Sequence, residues 1–335
     1  MRNKMFIAIG VILILSVSCS KDNDTFDGPA LNDIYGDFFI IDSLEVSSIA
    51  VNFSVGQTIT CTAEFSKNVN WKVEITGLES GAEYVIEGFS RLLDATNATW
   101  DGSATTLPMF RAEDCSVVLS ISDEVDTLTR SVQILNTKPI SGLILSDFEE
   151  GWNAGWGSFI QSGADMSFVI TEEGIAAQGS KYYDMGGAVD WDWLIGLVDI
   201  PATAYGSATF PLSSNPNNVY FNVMLAKIAG LTNAIVLFQF KEDDNGDGIY
   251  TAGAEDLFSL EVKLTGNDGW QLVSSKYADL PTLIDGVPAD PIGNGIYEPE
   301  KLQMVSILML ANPVSGYSQA WMDLLLFTEN EPFKP

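Results

Sequence analysis

Residues 233–241 read NAIVLFQFK and residues 256–264 read DLFSLEVKL, and a polar loop rich in Asp, Asn and Gly separates these two runs. Short apolar runs with β-branched and aromatic residues and turn residues at both ends indicate β-strands. The first run is almost continuously apolar, so it predicts a strand that is covered on both faces or wrapped by long loops. Together the two runs predict a β-hairpin with a polar tip.

The same pattern extends on both sides of this hairpin, between residues 143 and 330. Further runs of this kind are MSFVITEE (166–173), WLIGLVDIP (193–201), NVYFNVMLAKIAG (218–230), WQLVSSKYADL (270–280), LQMVSILMLANP (302–313) and QAWMDLLLF (319–327). No helical period of 3.6 residues separates them. Strands in this number without helical linkers predict an antiparallel β-sandwich of jelly-roll type at 143–330.

A second β-rich region covers residues 34–138, and the stretch NTKPISG (136–142), which contains Pro and Gly, marks the boundary between the two regions. Its runs are shorter and have more turn residues, which indicates a separate all-β domain. Cys61, Trp71 and Cys115 fall in three of these runs in the order expected of an immunoglobulin-like sandwich. The region resembles bacterial immunoglobulin-like modules with a TWDG turn (99–102), although Glu113 stands where antibody domains have Tyr. We expect a Cys61–Cys115 disulfide, the alternative being two buried thiols.

The N-terminus resembles a bacterial lipoprotein signal. Arg2 and Lys4 precede an apolar run from Met5 to Ser18, which is shorter than the roughly 20 residues of a membrane-spanning helix. We predict a signal peptide at 1–18, lipidation of Cys19 and a polar tether at 19–33. SKDND (20–24) resembles the signal that exports lipoproteins of Bacteroidetes-type bacteria to the outer face of the outer membrane. The alternative is a plain secretory signal next to an incidental cysteine.

Charge and composition exclude several functions. The net charge of -29 disfavours binding to nucleic acid and to anionic lipid surfaces, so membrane attachment would come from acyl chains such as palmitate on Cys19. The chain has no histidine, which excludes Ser-His-Asp triads and H-E-x-x-H zinc sites. Carboxylate chemistry, as in glycoside hydrolysis, remains available, but no pair of acids stands out.

The tip of the hairpin, DDNGDGIY (243–250), has the side-chain spacing of a calcium loop. Oxygen ligands recur at alternate positions, and a later acid, Glu255 or Asp256, would be the bidentate ligand. We predict a structural Ca²⁺ site with the ligands Asp243, Asn245, Asp247, Ile249 (through its carbonyl) and Glu255. The alternative is a solvated turn, because Asn, Asp and Gly are also the residues that turns prefer.

Three segments carry a resemblance to the galactose-binding-like jelly rolls of carbohydrate-binding modules and surface glycan-binding lipoproteins. They are SDFEEGWNAGW (146–156), GSKYYDMGG (179–187) and the two final runs at 302–313 and 319–327. The resemblance implies the fold, and it implies sugar binding only by association.

Aromatic side chains are the expected sugar contacts, because flat rings match the apolar C–H faces of sugars. Trp191 and Trp193 are two residues apart, so an extended strand would point both to one face. The alternative is that they belong to the core, as we expect of Trp321. Further candidates are Trp152, Trp156, Tyr182 and Tyr183.

These observations predict a non-catalytic surface lipoprotein that captures polysaccharides for uptake, with an outer-membrane sugar importer as a potential partner. One alternative is an adhesion or assembly lipoprotein that binds a protein. Another is a carboxylate-dependent glycoside hydrolase.

Overall fold

The computed structural model describes residues 37–122, 124–190, 194–266, 268–284 and 286–335. The chain divides into two compact units, Met1–Phe39 and Ile40–Pro335. In the first unit only residues 37–39 are described, and they lie outside any strand. The predicted signal peptide, Cys19 and the tether lie outside the described residues. Among those that are described, no helix is long and apolar enough to span a membrane.

The second unit is built from β-strands, which confirms the all-β prediction. The described residues contain no α-helix, only four short 3₁₀ turns at Phe53–Val55, Ala202–Tyr205, Tyr277–Asp279 and Pro299–Lys301. The strands of the first half are β1 Ile40–Val46, β2 Ala50–Asn52, β3 Ile59–Gly77, β4 Glu83–Leu93, β5 Thr99–Trp100, β6 Asp114–Ile121 and β7 Leu128–Asn136.

The long strand β3 organises this first half. It pairs with β1 and β5 near its start and with β6 along its second half, while β4 pairs with it at both places. All seven strands therefore join in one hydrogen-bonded sheet, in which β2 runs parallel to β7. Trp100 is fully buried between Phe53 and Phe110, at ring-centroid distances of 4.7 and 4.8 Å. The immunoglobulin-like assignment stays a prediction.

The predicted disulfide is not formed, because Cys61 and Cys115 are both buried free cysteines. Cys61 lies near the start of β3, opposite Val46 of β1. Cys115 lies on β6 opposite Gly77, the last residue of the same 19-residue strand. Cys61 thus belongs to the start of β3, and Cys115 lies beside its end.

The second half forms two large antiparallel sheets and a separate two-stranded one. Its strands are β8 Leu143–Ser146, β9 Gly157–Ile160, β10 Asp165–Thr171, β11 Tyr182–Ala188, β12 Leu194–Pro201, β13 Val219–Lys227, β14 Ala234–Glu242, β15 Leu257–Leu264, β16 Gly269–Lys276, β17 Leu283–Ile284, β18 Val287–Pro288, β19 Leu302–Leu310 and β20 Tyr317–Glu329. One large sheet has the order β10-β11-β20-β13-β16, with β8 added on β20, and the other has the order β15-β14-β19-β12-β9, while β17 and β18 form the two-stranded sheet. Most consecutive strands alternate between the sheets, as in a jelly roll.

The core of this sandwich lies between the two sheets and is rich in phenylalanine. Phe221 lies 5.0 Å from both Phe238 and Phe240 and 5.4 Å from Phe327, measured between ring centroids. These rings come from β13, β14 and β20, and each is almost completely buried. The inner faces therefore close against each other, and a ligand can reach only the outer faces, the strand ends and the loops.

The two strand sets also contact each other. The Met109 amide donates to the Ala177 carbonyl at 2.7 Å, and the Ala104 amide donates to the Pro335 carbonyl at 3.1 Å. Leu107 and Met109 pack against an apolar cluster that includes Leu326 and Phe333. The stretch 137–142 between β7 and β8 is therefore not the only link between the two sets.

Candidate functional site

Burial removes three of the four predicted sugar contacts that the structure describes from consideration. Tyr182, Tyr183 and Trp156 are 3%, 1% and 9% exposed, whereas Trp152 is 36% exposed. Tyr183 and Trp156 lie in the core beside Trp152, at ring-centroid distances of 6.0 and 5.3 Å from it. Tyr182 donates to the Glu173 carbonyl at 2.6 Å and contacts the rings of Trp270 and Trp321. Only Trp152 offers a surface to a ligand, and the preferred pair, Trp191 and Trp193, lies outside the described residues.

The side chains of the predicted calcium loop mainly accept hydrogen bonds from their own backbone. Asp243 is 3% exposed and accepts from the amides of Gly246, Asp247 and Gly248, at 2.8, 3.1 and 2.7 Å. Glu255 is 2% exposed and accepts from the amides of Asn245 and Thr251. The Asn245 carboxamide oxygen accepts from the Asp247 amide, and the Asp247 carboxylate accepts from the Ile249 amide. Ile249 is 68% exposed.

A different group of acids converges behind this loop. Glu242, Asp244 and Asp256 each place a carboxylate oxygen within 4.8 Å of the others. Burial raises the pKa of Glu242 to about 8, although hydrogen bonds from the Tyr277 hydroxyl and the Glu298 amide lower it. Burial also raises the pKa of Asp244. We call Glu242, Asp244 and Asp256 the inner acid cluster.

The outer face of the five-stranded sheet carries a line of polar side chains that sequence reasoning missed. Asp199 of β12 lies opposite Ser306 of β19, Ser306 opposite Gln239 of β14, and Gln239 opposite Ser259 of β15. The neighbours of each residue along its strand point into the core, so these four point outward. The Ser306 hydroxyl donates to the Asp199 carboxylate. We call these four residues the polar row.

Charged and aromatic side chains border the polar row. The Lys241 ammonium lies 3.4 Å from an Asp199 carboxylate oxygen and 5.8 Å from the centre of the Tyr250 ring. Phe159 of β9, opposite Leu197, is 48% exposed. The side chains of Asp199 and Lys241 are 30% and 15% exposed, so the row is accessible from solvent at this end. Ser306 and Ser259 are both fully buried, and the Ser259 amide donates to the Pro281 carbonyl.

Alternation within the apolar runs is the signal that could have identified the polar row. In NAIVLFQFK, Gln239 and Lys241 alternate with Phe238 and Phe240, and in LQMVSILML Ser306 lies between Val305 and Ile307. A polar residue next to core residues in a strand faces away from the core. The sequence does not show that four strands bring these residues into one line.

Comparison with known proteins gives matches among solved structures only. No protein-family model matches the sequence, and no curated protein matches it. The family 11 carbohydrate-binding module of cellulosomal cellulase Lic26A-Cel5E of Clostridium thermocellum is 13% identical, with a TM-score of 0.39 over 57% of this chain and 96% of that chain. The CBM22-1 xylan-binding domain of Paenibacillus barcinonensis Xyn10C is 17% identical, with a TM-score of 0.33 over 58% and 99%.

A third similar structure spans both strand sets. SGBP-B from a complex xyloglucan utilization locus in Bacteroides uniformis is 14% identical, with a TM-score of 0.35 over 86% of this chain and 72% of that chain. At these identities and TM-scores the similarity assigns no ligand to the present chain.

Proposed function

We propose that this protein binds a glycan, without cleaving it, on the outer face of its five-stranded sheet. The observation that carries the proposal is the polar row, in which the Asp199 carboxylate and the Gln239 carboxamide lie beside Lys241, Tyr250 and Phe159. The buried Ser306 hydroxyl lies between them and donates to Asp199. The row interrupts an outer face that is apolar nearby, as at Leu237 and Leu308. It supplies the hydrogen-bonding groups that sugar recognition needs.

The chemistry of the row matches that of a sugar chain. The Asp199 carboxylate accepts hydrogen bonds from hydroxyl groups, Lys241 donates them, and Gln239 does both. The exposed face of Phe159 and the ring of Tyr250 can pack on the C–H faces of sugar rings. Because the row crosses neighbouring strands on the outer face of a sheet and does not lie between the sheets, it suits an extended chain of several sugar units better than a single enclosed one.

Catalysis is not part of the proposal, because the polar row contains one carboxylate, Asp199. Glycosidases use two carboxylates that face each other across the scissile bond, at about 5 to 9.5 Å. The nearest charged partner of Asp199 is Lys241, an ammonium and not a second carboxylate.

We place the protein on the outer face of the outer membrane, held by lipid chains on Cys19, where it would capture polysaccharide for an importer. The support is the signal-like sequence from Arg2 to Cys19 and the SKDND stretch that follows it. Radiolabelled palmitate should enter the protein in bacterial cells and should fail to enter the Cys19→Ala variant.

Native gel electrophoresis in gels cast with different polysaccharides tests the function. We expect at least one polysaccharide to retard the protein, and incubation with the same polysaccharide to release no reducing sugar. Retardation by none of a broad panel would contradict glycan binding and would favour a protein partner. Release of reducing sugar would contradict the non-catalytic assignment.

A further inference from the structure

The inner acid cluster is enclosed by backbone from two loops. Glu242 ends β14 and is 0% exposed, as is Asp256, which precedes β15. The amides of Gly293 and Gly295 donate to the two oxygens of Asp256, at 2.9 and 2.7 Å. A Cβ atom on Gly293 would lie 2.1 Å from an Asp244 oxygen, so only glycine allows this close approach.

Two oxygens of the cluster have no donor. The Tyr277 hydroxyl and the Glu298 amide donate to Glu242 Oε1, at 2.7 and 2.9 Å, while the buried Oε2 has no hydrogen-bond partner. Asp244 Oδ2 accepts from the amides of Asp256 and Asn294, while its buried Oδ1 has no partner. Buried carboxylate oxygens without a donor are costly, and here two of them belong to a group of three acids.

Positive charge does not compensate the cluster. In the part of the chain that the structure describes, none of the three carboxylates forms an ion pair. The nearby Lys301 ammonium pairs with Glu298 at 2.9 Å and donates to the backbone carbonyl of Asp244 at 3.2 Å. Three acids in this setting repel each other unless something neutralises them.

We propose that Glu242, Asp244 and Asp256 bind a calcium ion, with the donor-free oxygens Glu242 Oε2 and Asp244 Oδ1 among its ligands. All ligand atoms on offer are oxygens, and the chain has no histidine, which favours a hard cation over zinc or copper. Three oxygens separated by at most 4.8 Å surround a centre at most about 2.8 Å from each. A small contraction reaches the 2.3 to 2.6 Å of calcium, whereas magnesium needs about 2.0 Å.

This site differs from the one that the DDNGDGIY pattern predicts. Asp243 and Glu255 already accept backbone amides with both of their oxygens, so the outer loop holds itself together. The cation would instead tie the base of that loop to residues 293–295. Tyr250, which borders the polar row, lies in the same loop and would be held in place by it.

Melting and calorimetric titration with calcium chloride test the proposal, using the full chain after removal of metal by a chelator. Two variants, Glu242→Gln and Asp244→Asn, replace a donor-free oxygen by an amide group and keep the size of the side chain. The matched control is Asp247→Asn in the outer loop, because the Asp247 Oδ1 that accepts the Ile249 amide has an equivalent in Asn. Melting in chelator shows whether each variant folds. If Glu242→Gln does not fold, Asp244→Asn provides the test, because Asp244 is only half-buried.

We expect calcium to raise the melting temperature of the native protein and of Asp247→Asn. The two inner variants should lose this rise, and their calcium affinity should fall by about tenfold or more. A native protein that shows neither a rise nor a heat of binding would overturn the proposal and would leave a shared proton as the neutralising group. Loss of the rise in Asp247→Asn would overturn it too, because the ion would then depend on the outer loop.

Discussion

Glu113 receives four hydrogen bonds although it is 4% exposed. The donors are the Ser80 hydroxyl at 2.5 Å and the amides of Ser80, Glu79 and Arg111 at 2.9, 2.7 and 2.9 Å. Burial alone would raise the pKa of Glu113, but these donors together lower it below its usual value. Glu242 shows the opposite balance, because burial outweighs its two donors and the nearby charges of Asp244 and Asp256 raise its pKa further. Hydrogen-bond donors and neighbouring charges thus decide whether the pKa of each of these two buried carboxylates is raised or lowered.

The lowered pKa of Glu113 predicts a loss of stability in acid. Its contribution is complete above the unfolded pKa of about 4.5 and disappears as the pH falls through the lower folded value. At pH 7, Glu113→Gln should cost about 1 to 3 kcal/mol in the free energy of unfolding, because an amide group would face backbone donors. Urea denaturation should show that this difference shrinks at pH 3, whereas the exposed control Glu124→Gln should change little. A difference of equal size at both pH values would contradict the prediction.

Burial raises the pKa of the Cys61 thiol to about 11 and that of the Cys115 thiol to about 12. Since the thiolate is the reactive form, both should be inert in the folded protein. In a Cys19→Ser variant, a colorimetric thiol reagent should detect no reactive thiol in native protein and two after unfolding in urea. Detection of none after unfolding would show that a disulfide had formed.

At the scale of elements, the sequence predicted the long apolar strands well. NAIVLFQFK (233–241) and DLFSLEVKL (256–264) correspond to β14, Ala234–Glu242, and β15, Leu257–Leu264. These runs have turn residues at both ends, which define the strand limits. The strands of the first half were harder to predict. QTITCTAEF (57–65) and NWKVEITG (70–77) look like separate strands in the sequence, but both are parts of the single strand β3. The residues between them contain neither Gly nor Pro, so the polar composition alone suggested a break.

The edge strand β9 depends on a glycine of its neighbour β12. A Cβ atom on Gly196 would lie 2.7 Å from the Phe159 carbonyl and 2.3 Å from the Met166 sulfur. Gly196→Ala should therefore loosen the pairing of β9 with β12 and cost about 1 to 3 kcal/mol. Hydrogen exchange should become faster at Gly157–Ile160, measured by mass spectrometry. The control Gly157→Ala places its Cβ at an ordinary 3.5 Å from Asp199, and a similar acceleration there would contradict this explanation.

At the scale of the whole molecule, the sequence predicted the jelly-roll sandwich but not the candidate site. The polar row takes Asp199, Gln239, Ser259 and Ser306 from four strands, and the pairing of distant strands brings them together. The inner acid cluster likewise needs the fold to turn Glu242 and Asp244 towards Asp256. A sequence motif records residues that are close along the chain, so it led to the outer loop instead.

The two strand sets should unfold together, because they share an apolar cluster. Phe333 is 8% exposed and belongs to the cluster against which Leu107 and Met109 pack. Phe333→Ala should cost about 3 kcal/mol and weaken this contact. Scanning calorimetry should show one transition for the native protein and a lower, broadened or split transition for the variant. An unchanged transition would contradict a shared core, and Val314→Ala, at a residue that is 78% exposed, provides the control.

Calorimetric titration with a polysaccharide that retards the protein tests most directly whether the polar row is the glycan site. Gln239 lies on the outer face of the five-stranded sheet, and Gln319 lies on the six-stranded sheet, where it donates to Asp184 at 2.8 Å. Gln239→Ala should weaken binding by about tenfold, because loss of a buried polar contact costs about 1.4 kcal/mol or more. The control Gln319→Ala should bind the polysaccharide within about twofold of the native protein. Unchanged affinity in Gln239→Ala, with a loss in Gln319→Ala, would contradict the account and place the site on the opposite sheet.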